Sequence, residues 1–291
     1  MKESKSRIAF NIFNYFFLAA LAFTTLYPFI YTLSMSLSTT KAATEMGFHL
    51  YPKEFSLMAF KMVFNNKDIF VTYGNTLFRT VVGTLLGLFV TLMYAYAISR
   101  KEMPNKKFYT AILLFTMLFA GGKIPTYLVY KQIHLLNNRW VYILPYLISA
   151  YNVIVARSFF QSLPDALRES AGIDGAGEFR IFFKIIIPLS KPIIMTIALW
   201  MAVLHWNTWY DAMMYMTDQK KITVQFLLQR IIQENNSELI SQGVMNPDAM
   251  QYTPETVKAA TIIVSVLPIL AFYPFVQKYF IKGVMLGAVK G

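Results

Sequence analysis

Residues able to do covalent or metal chemistry are few and scattered in this chain. His49, His134 and His205 stand far apart, and there is no cysteine, so the sequence offers neither a metal cluster nor a disulfide or thiolate framework. GGKIPT at 121–126 lacks the G-x-x-x-x-G-K-[ST] spacing that cradles a phosphate, so the chain is not expected to hydrolyse ATP. No Ser/His/Asp or His/Glu set has catalytic spacing. What remains is recognition chemistry: cations, rings and amides in apolar surroundings. To these is added one polar, glycine-studded stretch, ESAGIDGAGEFRIFFKIIIPLSKP, from Glu169 to Pro192.

The apolar surroundings hold several candidate contacts for a passing solute. Arg79 lies inside a long apolar run, where a cation at mid-membrane costs about 2.5–3.5 kcal/mol on insertion scales. It either snorkels to the interface or hydrogen-bonds a polar solute. Lys123 follows Gly121-Gly122 and precedes Pro125, and helix breakers at membrane depth belong where backbone is buried or lines water. Trp206, Trp209 and Tyr210 could stack on a ring-shaped solute or form an interfacial belt. Asn207 adds a donor and an acceptor, and Tyr127, Tyr130 and Tyr151 are weaker candidates of the same kind.

The elements that must position these residues are membrane spans. The chain of 291 residues is 56% hydrophobic and only 14% charged, where soluble domains carry about a quarter charged residues. Windows of about 20 mostly apolar residues predict six transmembrane helices, over 8–37, 72–99, 108–130, 141–162, 185–210 and 257–281. The fold class expected is therefore an all-α membrane protein. The net charge of +12 is read as basic residues holding loops on one side, not as a nucleic-acid surface. Lys2, Lys5 and Arg7, then Arg100, Lys101, Lys106 and Lys107, then Arg157, Arg168, Arg180, Lys184 and Lys191, and finally Lys278, Lys282 and Lys290 all fall on one side if the spans alternate. That side, with both termini, is expected to be cytoplasmic. The first apolar stretch runs past Pro28 to Leu37, too long for a signal core, so an uncleaved helix is expected. The organisation expected is 1–71 as first helix and external loop, 72–281 as a five-helix core, and 282–291 as a cytoplasmic tail. Residues 38–71 and 211–256 are the long external loops, the latter either a passive connector or read by a soluble partner. The six apolar windows hold no Asp or Glu, which argues against an ion-coupled carrier. Gly83 and Gly87 form a G-x-x-x-G that lets helices pack closely.

The polar stretch is predicted to be a short helix entering near Leu163. Ser162 and Asp165 are spaced as a capping box, Pro164 is tolerated in a first turn, and the run ends at glycines that adopt left-handed angles. Phe179, Phe182, Phe183 and Ile186 then recur at helical spacing beside Arg180 and Lys184, as in a helix lying at a membrane surface. Ser170, Ala171, Gly172, Gly175 and Ala176 are small enough for another surface to approach the backbone, and Glu169 and Asp174 add anionic contacts. The alternatives are a docking helix for a partner and an ordinary loop helix.

This stretch resembles the EAA loop of the membrane subunits of binding-protein-dependent ABC importers. The pattern is carried here by Glu169-Ser170-Ala171, Gly175 and Ile186-Ile187-Pro188-Leu189, with Ser170 replacing the usual alanine. NTLFRTVVGTLLGLFVTLMYAYAISR (75–100), HWNTWYDA (205–212) and the tail FIKGVMLGAVKG (280–291) extend the resemblance along nearly the whole chain, towards maltose-type permeases and their branch for complex oligosaccharides and polysaccharide fragments. The resemblance implies a type I ABC importer fold with a coupling helix at about 163–178. It implies a second homologous permease subunit, two ATP-binding-cassette ATPase subunits using ATP and magnesium, an extracellular solute-binding lipoprotein, and a saccharide crossing the bacterial cell membrane. The chain itself would be non-catalytic and would bind no cofactor. Glu169 would meet a basic group on the ATPase, Gly175 would make the bend, Asp174 would cap or dock, and the loop at 211–256 would reach into the binding protein. An importer of a non-sugar solute such as a peptide, and a six-span secondary carrier, are the alternatives.

Overall fold

The computed structural model describes residues 4–45, 47–233 and 253–288. Among them the regular structure is helical, with one isolated bridge between Ser38 and Phe55. The chain forms two compact units, residues 1–69 with 228–267 and residues 70–227 with 268–291.

The first unit opens with α1 (Lys5–Ser36), whose N-terminus is capped by Ser4 accepting from the Arg7 amide at 3.3 Å. Polar side chains in α1 turn inward on their own backbone: the Thr24 hydroxyl donates to the Leu21 carbonyl at 2.9 Å and that of Thr32 to Pro28 at 2.8 Å. Such bonds let a threonine sit in an apolar medium without an unpaired hydroxyl. After α1 the chain makes a structured excursion through α2 (Thr40–Thr44) and α3 (Met58–Asn65). Thr39 donates twice to Glu54, amide to carbonyl at 3.1 Å and hydroxyl to carboxylate at 2.8 Å. Lys53 pairs with Glu45, and the Tyr31 and His49 rings meet edge to face.

The second unit is organised on α4 (Lys67–Ser99), which begins in the first unit. It continues with α5 (Lys106–Leu118), α6 (Lys123–Gln132), two 3-10 turns over 139–146, α7 (Ala150–Ser162), α8 (Asp165–Ile173), α9 (Glu178–Leu189), α10 (Lys191–Asn207) and α11 (Tyr210–Tyr215), while α12 (Val224–Gln233) begins in it and ends in the first. Helix α13 (Pro254–Ala288) runs from the first unit into the second. Leu92, Ala95, Ile98, Val153, Ala156, Ile197 and Met201 form one buried core, drawn from α4, α7 and α10. Val141, Tyr142, Ile143, Ala212 and Ile222 anchor a second. Large apolar side chains such as Leu85 and Phe115 stay exposed, as lipid-facing residues do.

Among the described residues, three helices are long and apolar enough to cross a membrane alone, Lys5–Ser36, Asp68–Ser99 and Pro254–Ala271, and the number reaches six if each bent pair is one span. The sequence windows misjudged continuity in the other three. The window 108–130 is two helices bent by 116° across residues 119–122, where Gly122 has φ +91°. The window 141–162 bends by 45°, and 185–210 contains an 84° corner between α9 and α10. Hydropathy averages over such breaks, because apolar residues flank both sides of each.

Candidate functional site

Two sets of side chains draw together residues singled out by sequence. One surrounds α8. This helix has no buried residue, and Ile173 is 87% exposed. The expected capping box does not form: α7 continues through Ser162, whose hydroxyl donates to the Phe159 carbonyl at 2.7 Å, and α8 starts instead after Pro164. Its end is sharply specified. Gly175 takes φ +76°, its amide donates to Gly172 at 3.0 Å, and the Ala176 amide donates to Ala171 at 2.9 Å. These are the paired 5→2 and 6→1 bonds of a Schellman turn, which needs a left-handed residue at Gly175. Ala171 and Ala176, the residues such a turn brings together, pack on the first core. Glu169, Ser170, Gly172 and Asp174 are exposed, and a Cβ added at Gly172 or Gly175 would meet nothing within 4 Å.

Flanking α8 is a run of ion pairs that sequence inspection missed, since its partners lie far apart in the chain. Arg168 makes a two-pronged contact with Glu102 at 2.9 and 3.1 Å. Glu102 also meets Arg100 at 3.4 Å, and Arg100 reaches Glu178 at 2.8 Å and the Tyr96 hydroxyl at 3.0 Å. Tyr96 donates to Glu178 at 2.7 Å. Separately, Lys101 bonds Asp165 at 2.7 Å, a contact that holds the Asp165 carboxyl below its ordinary pKa and raises that of Lys101.

The other set lies around Arg79, which does not snorkel. It is fully buried and contacts Asp211 at 2.5 Å, the Thr208 carbonyl at 3.0 Å and His205 Nδ1 at 3.5 Å. Its guanidinium lies 5.0 Å from the Tyr142 ring centroid and 5.4 Å from that of Tyr146. Tyr146 in turn donates to the second Asp211 oxygen at 3.0 Å. A buried charge is tolerable when it is paired and its hydrogen-bonding sites are met, and both conditions hold here. Asp211 had escaped notice because it falls one residue past the apolar window ending at 210; the signal was a carboxylate directly after the aromatic run HWNTWY. Gly83 makes room for this cluster: a Cβ there would lie 2.6 Å from His205 Nε2, and one at Gly87 would lie 2.6 Å from the Met201 methyl. The two glycines thus let α10 approach α4 closely.

The remaining candidates divide. Lys123 sits 4.8 Å from the Tyr210 ring centroid, with Trp209 edge-on to Tyr210 at 6.2 Å. Tyr127 stacks with Tyr215 at 6.2 Å, and Tyr130 meets Tyr215 at 5.1 Å. Asn207 is exposed, whereas Trp206 is buried and edge-on to Tyr73. Tyr151 pairs with Trp200 and is 53% exposed. Lys123, Tyr127, Trp209 and Tyr210 thus gather near the 119–122 break, while Arg79 and Trp206 are enclosed. Residues 234–252 of the loop expected at 211–256, and the last three residues of the tail, lie outside the described residues.

Comparison with known proteins follows the same lines. Residues 105–285 match the model of the family described as binding-protein-dependent transport system inner membrane component. The chain is 40% identical to Protein LplC of Bacillus subtilis (strain 168), covering 100% of this chain and 98% of that one. It is also 40% identical to the polygalacturonan/rhamnogalacturonan transport system permease protein YtcP of the same organism, over 99% and 100% of the two chains. Among solved structures, a chain of a bacterial ABC transporter involved in the import of the acidic polysaccharide alginate superposes with a TM-score of 0.90 at 34% identity, covering 96% of this chain and 99% of that chain.

Proposed function

The chain belongs to the family of binding-protein-dependent transport system inner membrane components, and on that premise we propose that it is the permease subunit of an importer for oligosaccharides or polysaccharide fragments. The observation that carries the saccharide reading is the full-length likeness to YtcP, named for polygalacturonan and rhamnogalacturonan transport; the alginate importer points the same way. With a second permease subunit the chain encloses the pathway. A solute-binding protein delivers the saccharide from outside, and two ATPase subunits bind ATP and magnesium on the cytoplasmic side, where both termini of this chain also lie. The chain performs no catalysis of its own.

Helix α8 is the part the ATPase grips. It buries no residue fully and ends in a stiff turn; Glu169, Ser170, Gly172, Asp174 and Gly175 are exposed as a low surface with two anionic groups, flanked by the partly exposed Ala171 and Ala176. Small side chains have little rotamer freedom to lose on docking, so the contact transmits displacement instead of absorbing it. On the pathway, Lys123, Tyr127, Trp209 and Tyr210 are accessible and suited to saccharides: rings for sugar faces, a cation for uronate groups. Asn207 and Tyr151 are further contacts. Arg79 and Trp206 act by shaping the wall, since neither reaches its surface.

The test is uptake by the assembled transporter in vesicles, comparing oligogalacturonides with peptides of similar size. Saccharide uptake that needs ATP is expected; transport of peptides alone, or transport by this chain without an ATPase, would refute the reading. Glu169→Lys and Gly175→Trp should leave membrane insertion intact and abolish uptake, and wild-type uptake in both would remove α8 from the mechanism.

A further inference from the structure

We propose that Glu102 and Arg100, in the link between α4 and α5, are positioning residues that fasten α8 to α4, so that displacement of α8 is delivered to α4. The proposal rests on reading α8 as the helix gripped by the ATPase. Covalently, α8 continues only into α7 on one side and, through the turn at Gly175, into α9 on the other. Both neighbours meet α4 by apolar packing in the first core, and α4 carries the Arg79 cluster in its length. The ion pairs add a direct polar route: Arg168 on α8, then Glu102, then Arg100 just past the end of α4, then Glu178 at the start of α9, with the more exposed Lys101–Asp165 pair beside it.

Exposed ion pairs ordinarily hold little, because water screens them and long side chains are costly to order. Three features set this run apart. The Arg168–Glu102 contact is two-pronged, which fixes orientation as well as distance. The Arg168 and Arg100 side chains are only 21% and 17% exposed, so both cations are already ordered. The far end is anchored in the core through Tyr96, which lies beneath Arg100 and 5.0 Å from the Phe182 ring. Helix α8 buries no residue fully, and Ala171 gives it only a partly buried apolar contact, so the ionic tie adds to a shallow apolar hold.

The test uses the complete transporter in vesicles, with three readings: ATPase subunits retained on purification, solute moved, and ATP consumed. Glu102→Gln and Arg168→Gln should retain the ATPase while solute moved per ATP falls at least fivefold. The chain has no cysteine, so Glu102→Cys with Arg168→Cys places a single thiol pair in it. Reduced, this variant should couple as poorly as the glutamine variants; joined by a short bifunctional maleimide, it should return to within twofold of wild type. Unchanged solute per ATP in the glutamine variants overturns the proposal, as does a joined pair that couples no better than the reduced one. Loss of the ATPase from these variants also overturns it, by making the contacts part of docking. Failure of the wild-type chain to retain an ATPase refutes the α8 reading itself, a separate outcome.

Discussion

Two ionic clusters, one within α4 and one just past its end, use the same side-chain chemistry under opposite solvation. Around Arg79 the cation and its Asp211 partner are enclosed, with aromatic rings and a backbone carbonyl completing the shell. Around Arg100 the carboxylates of Glu102 and Glu178 stay more than half exposed. A buried pair is expensive to break, since the survivor is left charged in a poor solvent. In the second run the carboxylates keep most of their hydration while the two-pronged Arg168–Glu102 contact and the ordered guanidinium groups hold it in register. The first is therefore suited to holding two helices in one arrangement, and the second, on the reading proposed above, to fastening α8 to α4. Burial, not residue type, separates the two roles.

The contrast can be broken most forcefully at Arg79. Arg79→Ala should destabilise the protein by about 3–5 kcal/mol, the usual result of stranding one member of a buried pair, read as earlier thermal unfolding in detergent. Arg79→Met with Asp211→Leu should lose far less. A double variant as unstable as the single would mean that shape and hydrogen bonding, not the stranded charge, dominate. A smaller effect is expected at the glycine that admits the cluster. Gly83→Ala puts a methyl 2.6 Å from His205 Nε2 and should cost about 1–3 kcal/mol by overpacking. In a His205→Ala background the same change should cost much less, because the ring that clashes is gone. Additive losses would place the strain elsewhere. The smallest effect belongs to Lys101–Asp165, whose side chains are 80% and 62% exposed. Lys101→Ala should leave thermal stability unchanged within error. Because Asp165 has its pKa lowered when folded, the pair's contribution is present above the ordinary carboxylate pKa and vanishes as pH falls through the depressed one. Chemical shifts of a labelled Asp165 at rising salt would check this, with the titration moving back towards the ordinary value.

Sequence patterning carried the helical class, the apolar segments and the polar helix after α7, because each is written in consecutive residues. Gly121, Gly122 and Pro125 were visible as breakers, yet nothing local fixes the angle they produce. The Ser162 spacing misled for a local reason: α7 has apolar contacts enough to run to that residue, and its hydroxyl turns back onto its own helix. The pairs Arg79–Asp211 and Arg168–Glu102 were illegible for a different reason, being 132 and 66 positions apart. Such partners are chosen by helix packing, which Gly83 and Gly87 permit without naming who will meet across the gap.

The corner between α9 and α10 turns the chain by 84° at Ser190, whose amide donates to both Ile186 and Ile187 and whose side chain is wholly buried. Two axes so close to a right angle share almost no common direction. If that corner stays stiff, a nudge along one arm swings the other broadside and cannot slide it lengthwise, as in a bell crank. A push along α9 would therefore displace α10 across its own axis.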